Sequence, residues 1–347
     1  MNRSDLDFER PEGLEATAPP EARGLSRDGV RLLVTDGARS THRSFRDLPE
    51  LLGPGDLLVV NESATLAASL PVRGPPGAFL LNVCTHYGGR VWLAEPRWGV
   101  GTPGPVPLEP GVPIASGPVR FYPIGPFPGI DRLWFFRVDG DLTGAMTSFG
   151  RPIRYGYVAT AYPLDSYQTV FSRVPGSAEM PSAARPFTPR ALAGLQERGV
   201  GVAPLVLHTG VSSLEAEPDR LEVAPVYPEP FELPATTAER VNATRRNGHR
   251  VVAVGTTVLR ALETSWNGRE VIARRGFTRL TLGPGRCIHS VDGLLSGFHD
   301  PRTSHLALLF AFAGEDRIRA AYAEAVRKGY LWHEFGDSHL IWRDAAK

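Results

Sequence analysis

The chain has 347 residues, long enough for two domains that each bury a core. With 42% hydrophobic and 22% charged residues it reads as a soluble globular protein, and a formal net charge of +1 gives no global attraction to nucleic acid, so such a partner would need a local basic patch. Cys84 and Cys287 stand far apart and outside any CxxC or His-rich spacing, which argues against a disulfide framework and against a metal site. The start, MNRSDLDFERPEGLEA, is acidic and polar, unlike a signal peptide, and no apolar run reaches membrane-spanning length. A cytoplasmic, monomeric protein is the expectation.

In chain order, residues 1 to 30 are rich in charge, proline and glycine and should wrap over a surface. Arg31 to Thr35 reads as a first strand, Asp36-Gly37 as a turn and His42 to Phe45 as the return. Leu48 to Leu52 is a short apolar turn, and PGDLLVVNES (54 to 63) is a turn followed by a strand. The composition then shifts: Gly and Pro fill 24 of the 60 positions from 71 to 130, which excludes long helices and permits short strands joined by tight turns. Candidate strands are Phe79 to Thr85, Arg90 to Glu95, Val119 to Tyr122 and Leu133 to Val138. The region reads as a small β-barrel of residues 61 to 154, inserted into a larger mixed α/β domain made of 1 to 60 and 155 to 347.

From residue 188 strands and helices alternate. Thr188 caps a helix with Pro189 in its first turn and Gly199 after its last, and Val200 to Leu207 is a strand. Thr236 and Glu239 suggest a capping box for a helix ending near Gly248. Val251 to Val254 is a short β-branched run suited to a buried strand; Gly255 breaks it, and Thr256 or Thr257 can cap the helix that carries Leu259 and Leu262. Phe277 to Leu282 reads as a strand before a GPG turn, Leu306 to Phe312 and Ile318 to Val326 as helices, and His339 to Trp342 as a last strand.

A buried strand feeding a helix points free backbone N–H groups into the crevice at the strand's C-terminal end, where α/β proteins hold anionic groups. That makes Gly255, Thr256 and Thr257, with Arg260 close by, the candidate ligand-binding residues. The Gly/Pro-broken loop VDGLLSGFHDPRTSHL (291 to 306) carries Asp292, His299, Arg302 and Thr303, and EFGDSHLI (334 to 341) puts Asp337 on a turn. His208 ends the strand of LVLHTGVSSLEAE (205 to 217). For the histidine and the two aspartates a purely structural role is equally open, since Asp favours turns beside Gly.

In SRDGVRLLV, FRDLPELLGPGDLLVVNES, YQTVFSRVPGSAEMPSAARPFTP, LVLHTGVSS, RVVAVGTTVLRALE, GFHDPRTSHLALLFAFAG and YLWHEFGDSHLI, the chain resembles the S-adenosylmethionine:tRNA ribosyltransferase-isomerases of queuosine biosynthesis over nearly its whole length. The resemblance implies a larger α/β domain with an inserted β-barrel. It also implies S-adenosylmethionine as a ribosyl donor rather than a methyl donor. The acceptor would be 7-aminomethyl-7-deazaguanine at the wobble position of the tRNA anticodon, with epoxyqueuosine formed and adenine and methionine released. Such chemistry needs a base, a proton donor for adenine and an anchor for the methionine carboxylate, and no metal. On this reading His299 and Glu229 handle protons and Asp292 and Asp337 orient them, while Gly255, Thr256, Thr257, Arg260 and His208 hold the co-substrate.

Departures fall in the motifs expected around the ligand. The family's APTAGLHF is MPSAARPF here, with Arg185 for an apolar residue and Pro186 for a histidine. NDTRV-x-PARL is NESATLAASL, with Ala64 and Ser69 for arginines; TNFHLP is SGFHDP; LHVGLGTF is LHTGVSSL; and MHSE is VYPE, with Tyr227 for histidine. Two further readings follow: a paralogue that uses or cleaves S-adenosylmethionine with a small-molecule acceptor, and a tRNA- or nucleoside-binding module without catalysis. The tRNA surface would come from Arg245, Arg246 and Arg250 and from Arg274, Arg275 and Arg279, which could equally be solvated charged faces.

Overall fold

The protein is described by a computed structural model over residues 2–211 and 227–343. β1 (Arg31–Asp36) and β2 (Arg39–Ser44) pair as an antiparallel hairpin around Asp36-Gly37. A 3-10 turn at Phe45–Leu51 buries Phe45 and Leu48 and leads to β3 (Leu57–Asn61), buried along its length, and then to β4 (Ser63–Thr65). Six strands follow without interruption: β5 (Ser69–Gly74), β6 (Gly77–His86), β7 (Val91–Arg97), β8 (Ile114–Ser116), β9 (Val119–Phe127) and β10 (Ile130–Asp139). They close into a barrel in the order β10-β7-β6-β5-β8-β9. The barrel surrounds an apolar interior that includes Leu81, Ala94, Phe121 and Phe136, and against the expectation of short strands β6 and β10 have 10 residues and β9 has 9. α1 (Leu142–Phe149), capped by Asp141, leads out of it.

The rest of the chain builds a larger mixed sheet. β11 (Val174–Ser177) pairs with β4, and then come α2 (Pro189–Glu197), β12 (Gly201–Leu207), β13 (Glu229–Leu233) and α3 (Ala235–Arg246). After these come β14 (Val251–Val254), α4 (Thr256–Thr264), β15 (Arg274–Thr278), β16 (Gly293–Gly297), α5 (Ser304–Ala313), α6 (Glu315–Arg327) and β17 (Ser338–Trp342). The nine strands lie in the order β15-β13-β12-β3-β14-β16-β17-β1-β2. β12, β3, β14 and β16 run parallel, and β17 turns antiparallel to β16. Successive residues of β3 serve opposite faces: Leu57 and Val59 pack with α3, α4 and α5, while Leu58 and Val60 pack with Phe45, Phe187 and Leu195. Apolar burial on both faces is why these strands read as continuous β-branched and leucine runs. The mixed α/β fold with a barrel is therefore what forms.

Local expectations fare unevenly. Thr188 does cap α2, accepting from the Ala191 N–H, with Pro189 in the first turn. The capping box at Thr236 and Glu239 does not form, because α3 starts at Ala235 directly after Pro234 and no side chain caps it. Pro234 itself takes the cap position, at φ −63° and ψ 150°, so the chain enters the helix two residues early. Thr256 and Thr257 do not cap α4 either; both lie inside it and Gly255 is the cap residue, at φ 98° and ψ 155°. β15 lies earlier than expected and ends at Thr278, while Gly293–Gly297, read as loop because of its glycines, is a strand.

The positive φ makes Gly255 a backbone requirement. An added Cβ would meet Ala183 Cβ at 3.4 Å, an ordinary contact, so the cost of Gly255→Ala comes from the backbone alone. We expect that variant to lose about 1–3 kcal/mol of stability in urea unfolding. An unchanged midpoint would show that the turn tolerates a side chain.

Candidate active site

At the C-terminal ends of the parallel strands β14 and β16 opens a cleft of about 810 Å³. Ligands of open α/β sheets bind outside such strand ends. One wall is the turn into α4, Gly255, Thr256 and Thr257, whose helix N-terminus offers backbone donors and a positive dipole end. The end of β16 and the loop after it supply Ser296, His299, Asp300 and Arg302, and Glu179, Ser182 and Ala183 line another side. The barrel closes the opposite side with Glu95, Arg97 and Arg132. Strand alternation explains this: Ala94 packs inside the barrel, whereas Glu95 and Arg97 point outward toward the larger domain.

His299 is held from several directions. Its Nε2 lies 2.8 Å from Ser296 Oγ, its backbone N–H donates to Tyr322 Oη at 3.1 Å, and its carbonyl accepts from Trp332 Nε1 at 3.1 Å. Its ring stacks on His305 at 5.0 Å and 13°. Burial, reinforced by His305, His333 and His339, drives its pKa well below the ordinary histidine value. His299 is therefore a neutral imidazole at pH 7, suited to accept a proton rather than to carry one in. Beside it, His333 stacks on Tyr157 at 4.6 Å, and Tyr157 on Tyr155 at 5.4 Å. Three aromatic rings thus meet at the cleft wall. Tyr157 keeps its proton because burial and nearby carboxylates raise its pKa.

Ion pairs close the rim. His333 Nε2 sits 3.0 Å from Asp300 Oδ2, Asp300 Oδ1 is 3.4 Å from Arg10 Nε, and Arg302 pairs with Asp7. The N-terminal segment is thereby tied across the mouth. Both His333 (φ 72°) and Arg302 (φ 62°) adopt left-handed backbone, uncommon for such residues and a sign that these side chains are held in place by their surroundings. On the barrel side Glu95, 1% exposed, accepts from Arg97 at 3.0 Å and from Arg132 at 2.5 Å.

Two histidines, buried His339 and half-buried His305, make stability depend on pH. His305 is lowered to about 4, mainly by burial and then by Arg260, and His339 to about 3, mainly by burial and then by Arg317. Unfolded, each titrates near its usual 6.5, so below that value the unfolded chain binds more protons and folding stability falls with pH. Each contributes a slope of up to about 1.4 kcal/mol per pH unit down to its folded pKa. We expect urea midpoints to be level in this respect above pH 6.5 and to drop from 6.5 toward 4. His339→Gln, which can keep the hydrogen bond to Thr35 Oγ1, should flatten that drop, and an equal slope in the variant would contradict the assignment.

Of the residues singled out in the sequence, Gly255, Thr256, Thr257 and His299 come together in the cleft, with Arg302 and Thr303. Glu229 and Arg260 form an ion pair at 2.5 Å just behind it, near enough to His305 to act on its charge, and the other Glu229 oxygen accepts from the Gly210 N–H at 3.0 Å. Asp292 and Asp337 do not line the cleft. Asp292 accepts from the Val251 N–H at the opposite end of β14. Asp337 accepts from the Arg31 and Leu331 N–H groups and from the Arg31 guanidinium. Both carry out the turn-type backbone work that Asp performs beside Gly. His208 faces a second cleft, with Nδ1 2.7 Å from Ser63 Oγ. Of its motif, residues 212 to 217 lie outside the described residues.

The substituted positions also find places. Arg185, 2% exposed, reaches Glu21 at 3.0 Å and Ser166 O at 2.9 Å and lies over Phe335, fastening the N-terminal segment. Tyr227 is buried and donates to Val211 O at 2.7 Å. The arginine clusters are apart from the cleft: Arg250 is committed to Asp56 and to the face of Trp342, Arg245 lies over Trp266, and exposed Arg275 faces Glu232. Sequence reasoning missed Arg10, Arg97, Arg132, Tyr155, Tyr157, Glu179, Asp300, His305 and His333. Asp300 and His305 had a signal in the run they share with His299, and Glu179 and His333 in YQTVFSRVPGSAEMPSAARPFTP and YLWHEFGDSHLI; the others had none.

Comparison with known proteins decides the family. The family model described as queuosine biosynthesis protein matches residues 3–341. The chain belongs to that family. It is 36% identical over 353 residues to an S-adenosylmethionine:tRNA ribosyltransferase-isomerase of Anaeromyxobacter sp., covering 99% of this chain and all of that one. A relative of the same description from Rubrobacter xylanophilus is 37% identical, with 98% of each chain covered. In structure the queuosine biosynthesis fold seen here is similar to the crystal structure of an S-adenosylmethionine tRNA ribosyltransferase from Thermotoga maritima. That match has a TM-score of 0.55 and 28% identity, covering 97% of this chain and 99% of that one.

Proposed function

We propose that the protein transfers and isomerises the ribosyl group of S-adenosylmethionine onto 7-aminomethyl-7-deazaguanine in tRNA, giving epoxyqueuosine-tRNA, and that it acts as a cytoplasmic monomer without a metal. The observation that carries the reading is the meeting of a helix N-terminal donor array with a neutral, rigidly held imidazole in one cleft. The donor set suits a zwitterionic, positively charged nucleoside. Backbone N–H groups at Thr256 and Thr257 would take the methionine carboxylate, and the carboxylates of Glu179 and Asp300 complement the ammonium and sulfonium. The rings of Tyr155, Tyr157 and His333 offer apolar faces to the adenine.

The sulfonium acidifies the C5′ protons, so the enzyme's task is to remove one, protonate the departing adenine and keep the acceptor amine in line. His299, neutral and fixed at Nε2 by Ser296, is the base we assign to the first of these. Glu229 supports the site from behind through Arg260 rather than by meeting the substrate. The test is adenine release from S-adenosylmethionine by purified protein, with and without tRNA carrying the aminomethyl base. Release that depends on that tRNA and matches its ribosylation supports the reading. Equal release without tRNA points to a small acceptor or to cleavage of the co-substrate, and no release under either condition leaves a binding module.

A further inference from the structure

A second cleft, about 860 Å³, lies between the barrel, α1 and the end of β12. It meets the first at a single peptide: His208 lines the second cleft, and the next residue, Thr209, lines the first. Their chemical linings differ. The first sets Asp7, Glu15, Glu95, Glu179 and Asp300 among Arg10, Arg97, Arg132 and Arg302; among the described residues lining the second there is no Asp or Glu, one arginine, Arg151, and the rings of His86 and His208. A wall without carboxylates does not repel a phosphate backbone, and its rings suit unpaired bases.

The second cleft also offers rings to stack on. His86 lies flat on Trp92 at 4.4 Å and 17°, with His86 exposed at the barrel surface, and Phe149 at the end of α1 is 45% exposed. His208, hydrogen-bonded at Nδ1 to Ser63, is held with its ring against Gly176, where an added Cβ would sit 2.4 Å away. Burial lowers its pKa, so it presents a neutral edge able to pair with a base.

We propose that this second cleft seats unpaired nucleotides of the RNA acceptor that flank the reacting base, stacked on His86–Trp92 and on Phe149. The acceptor strand then passes over the peptide between His208 and Thr209 to present its modified base in the first cleft. Sequence-tolerant stacking of unpaired bases on aromatic side chains is the usual way proteins grip single-stranded RNA. The inference rests on the tRNA reading above and adds a base-stacking surface to it; none of the six clustered arginines lines this cleft.

The experiment measures binding of an anticodon stem-loop RNA by fluorescence anisotropy for the wild type and for His86→Ala/Phe149→Ala. Both side chains are exposed, so their removal opens no core cavity. Stem-loop affinity should fall at least tenfold in the double variant, while affinity for a blunt RNA duplex of equal length stays within twofold. A stem-loop affinity within twofold of wild type overturns the proposal. As a second measurement on the unaltered protein, 5-bromouridine in the loop should photocrosslink to peptides containing Trp92 or Phe149. Crosslinks confined to first-cleft peptides also overturn it. A wild type that modifies tRNA yet shows either contrary result refutes this surface alone; a wild type that binds no stem-loop refutes the tRNA reading with it.

Discussion

We expect adenine release to fall by about 10²- to 10⁴-fold in His299→Ala, the range a positioned general base supplies. The side chain is held by Ser296, and burial with three neighbouring histidines keeps it neutral. A base of lowered pKa stays deprotonated into mild acid, so the acid limb of kcat/KM should lie below the usual histidine range. In Ser296→Ala the imidazole loses its partner and kcat should fall with KM little changed, because the effect is on orientation. His299→Ala with near wild-type release would take His299 out of the mechanism. An acid limb at or above 6.5 would show instead that the essential base is not a histidine of lowered pKa.

The second large effect is on stability. Glu229→Gln removes the negative charge opposite Arg260, whose side chain is 14% exposed, and leaves that guanidinium uncompensated. Losing one partner of such a buried pair costs about 3–5 kcal/mol. The amide can still accept from the Gly210 N–H, so the peptide leading to Thr209 stays anchored, while the tie to α4 is lost. Adding Arg260→Gln should recover much of the stability, since a neutral pair leaves no buried charge. Urea unfolding of the two single variants and the double variant forms the cycle. If Glu229→Gln costs less than about 1 kcal/mol, the pair is not what holds the cleft's rear wall.

The sequence alone carried the scaffold well. Val251 to Val254 read as a buried strand, and PGDLLVVNES and Val200 to Leu207 as containing strands; β14 and β3 are covered on both faces, whereas β12 alternates between buried and half-buried residues. The Gly/Pro frequency of 71 to 130 excluded long helices, and the barrel is what such a chain can form. The Gly255 turn was legible because it joins two strongly patterned elements, though its cap was misassigned: a glycine at positive φ supplies the geometry, and no hydroxyl is required. Gly293–Gly297 was lost because its two glycines weaken a strand signal that pairing on both sides, with β14 and β17, outweighs.

Sequence by itself therefore determined the mixed α/β fold with a barrel, the family, and the strand–turn–helix joint at Gly255. Those properties depend on residues close together in the chain or on long motifs in sequence order. Only the tertiary structure decided the composition of the cleft. Arg10, Glu95, Arg132, Tyr157, Glu179 and His333 come from separate segments that meet because the barrel packs on the strand ends and the N-terminal segment ties across the loop after β16. It also decided that Asp292 and Asp337 serve backbone N–H groups away from the cleft, and that His208 and Thr209, adjacent in sequence, serve different clefts. Side-chain direction at a strand end follows from packing on either side of the strand, and no local pattern records it.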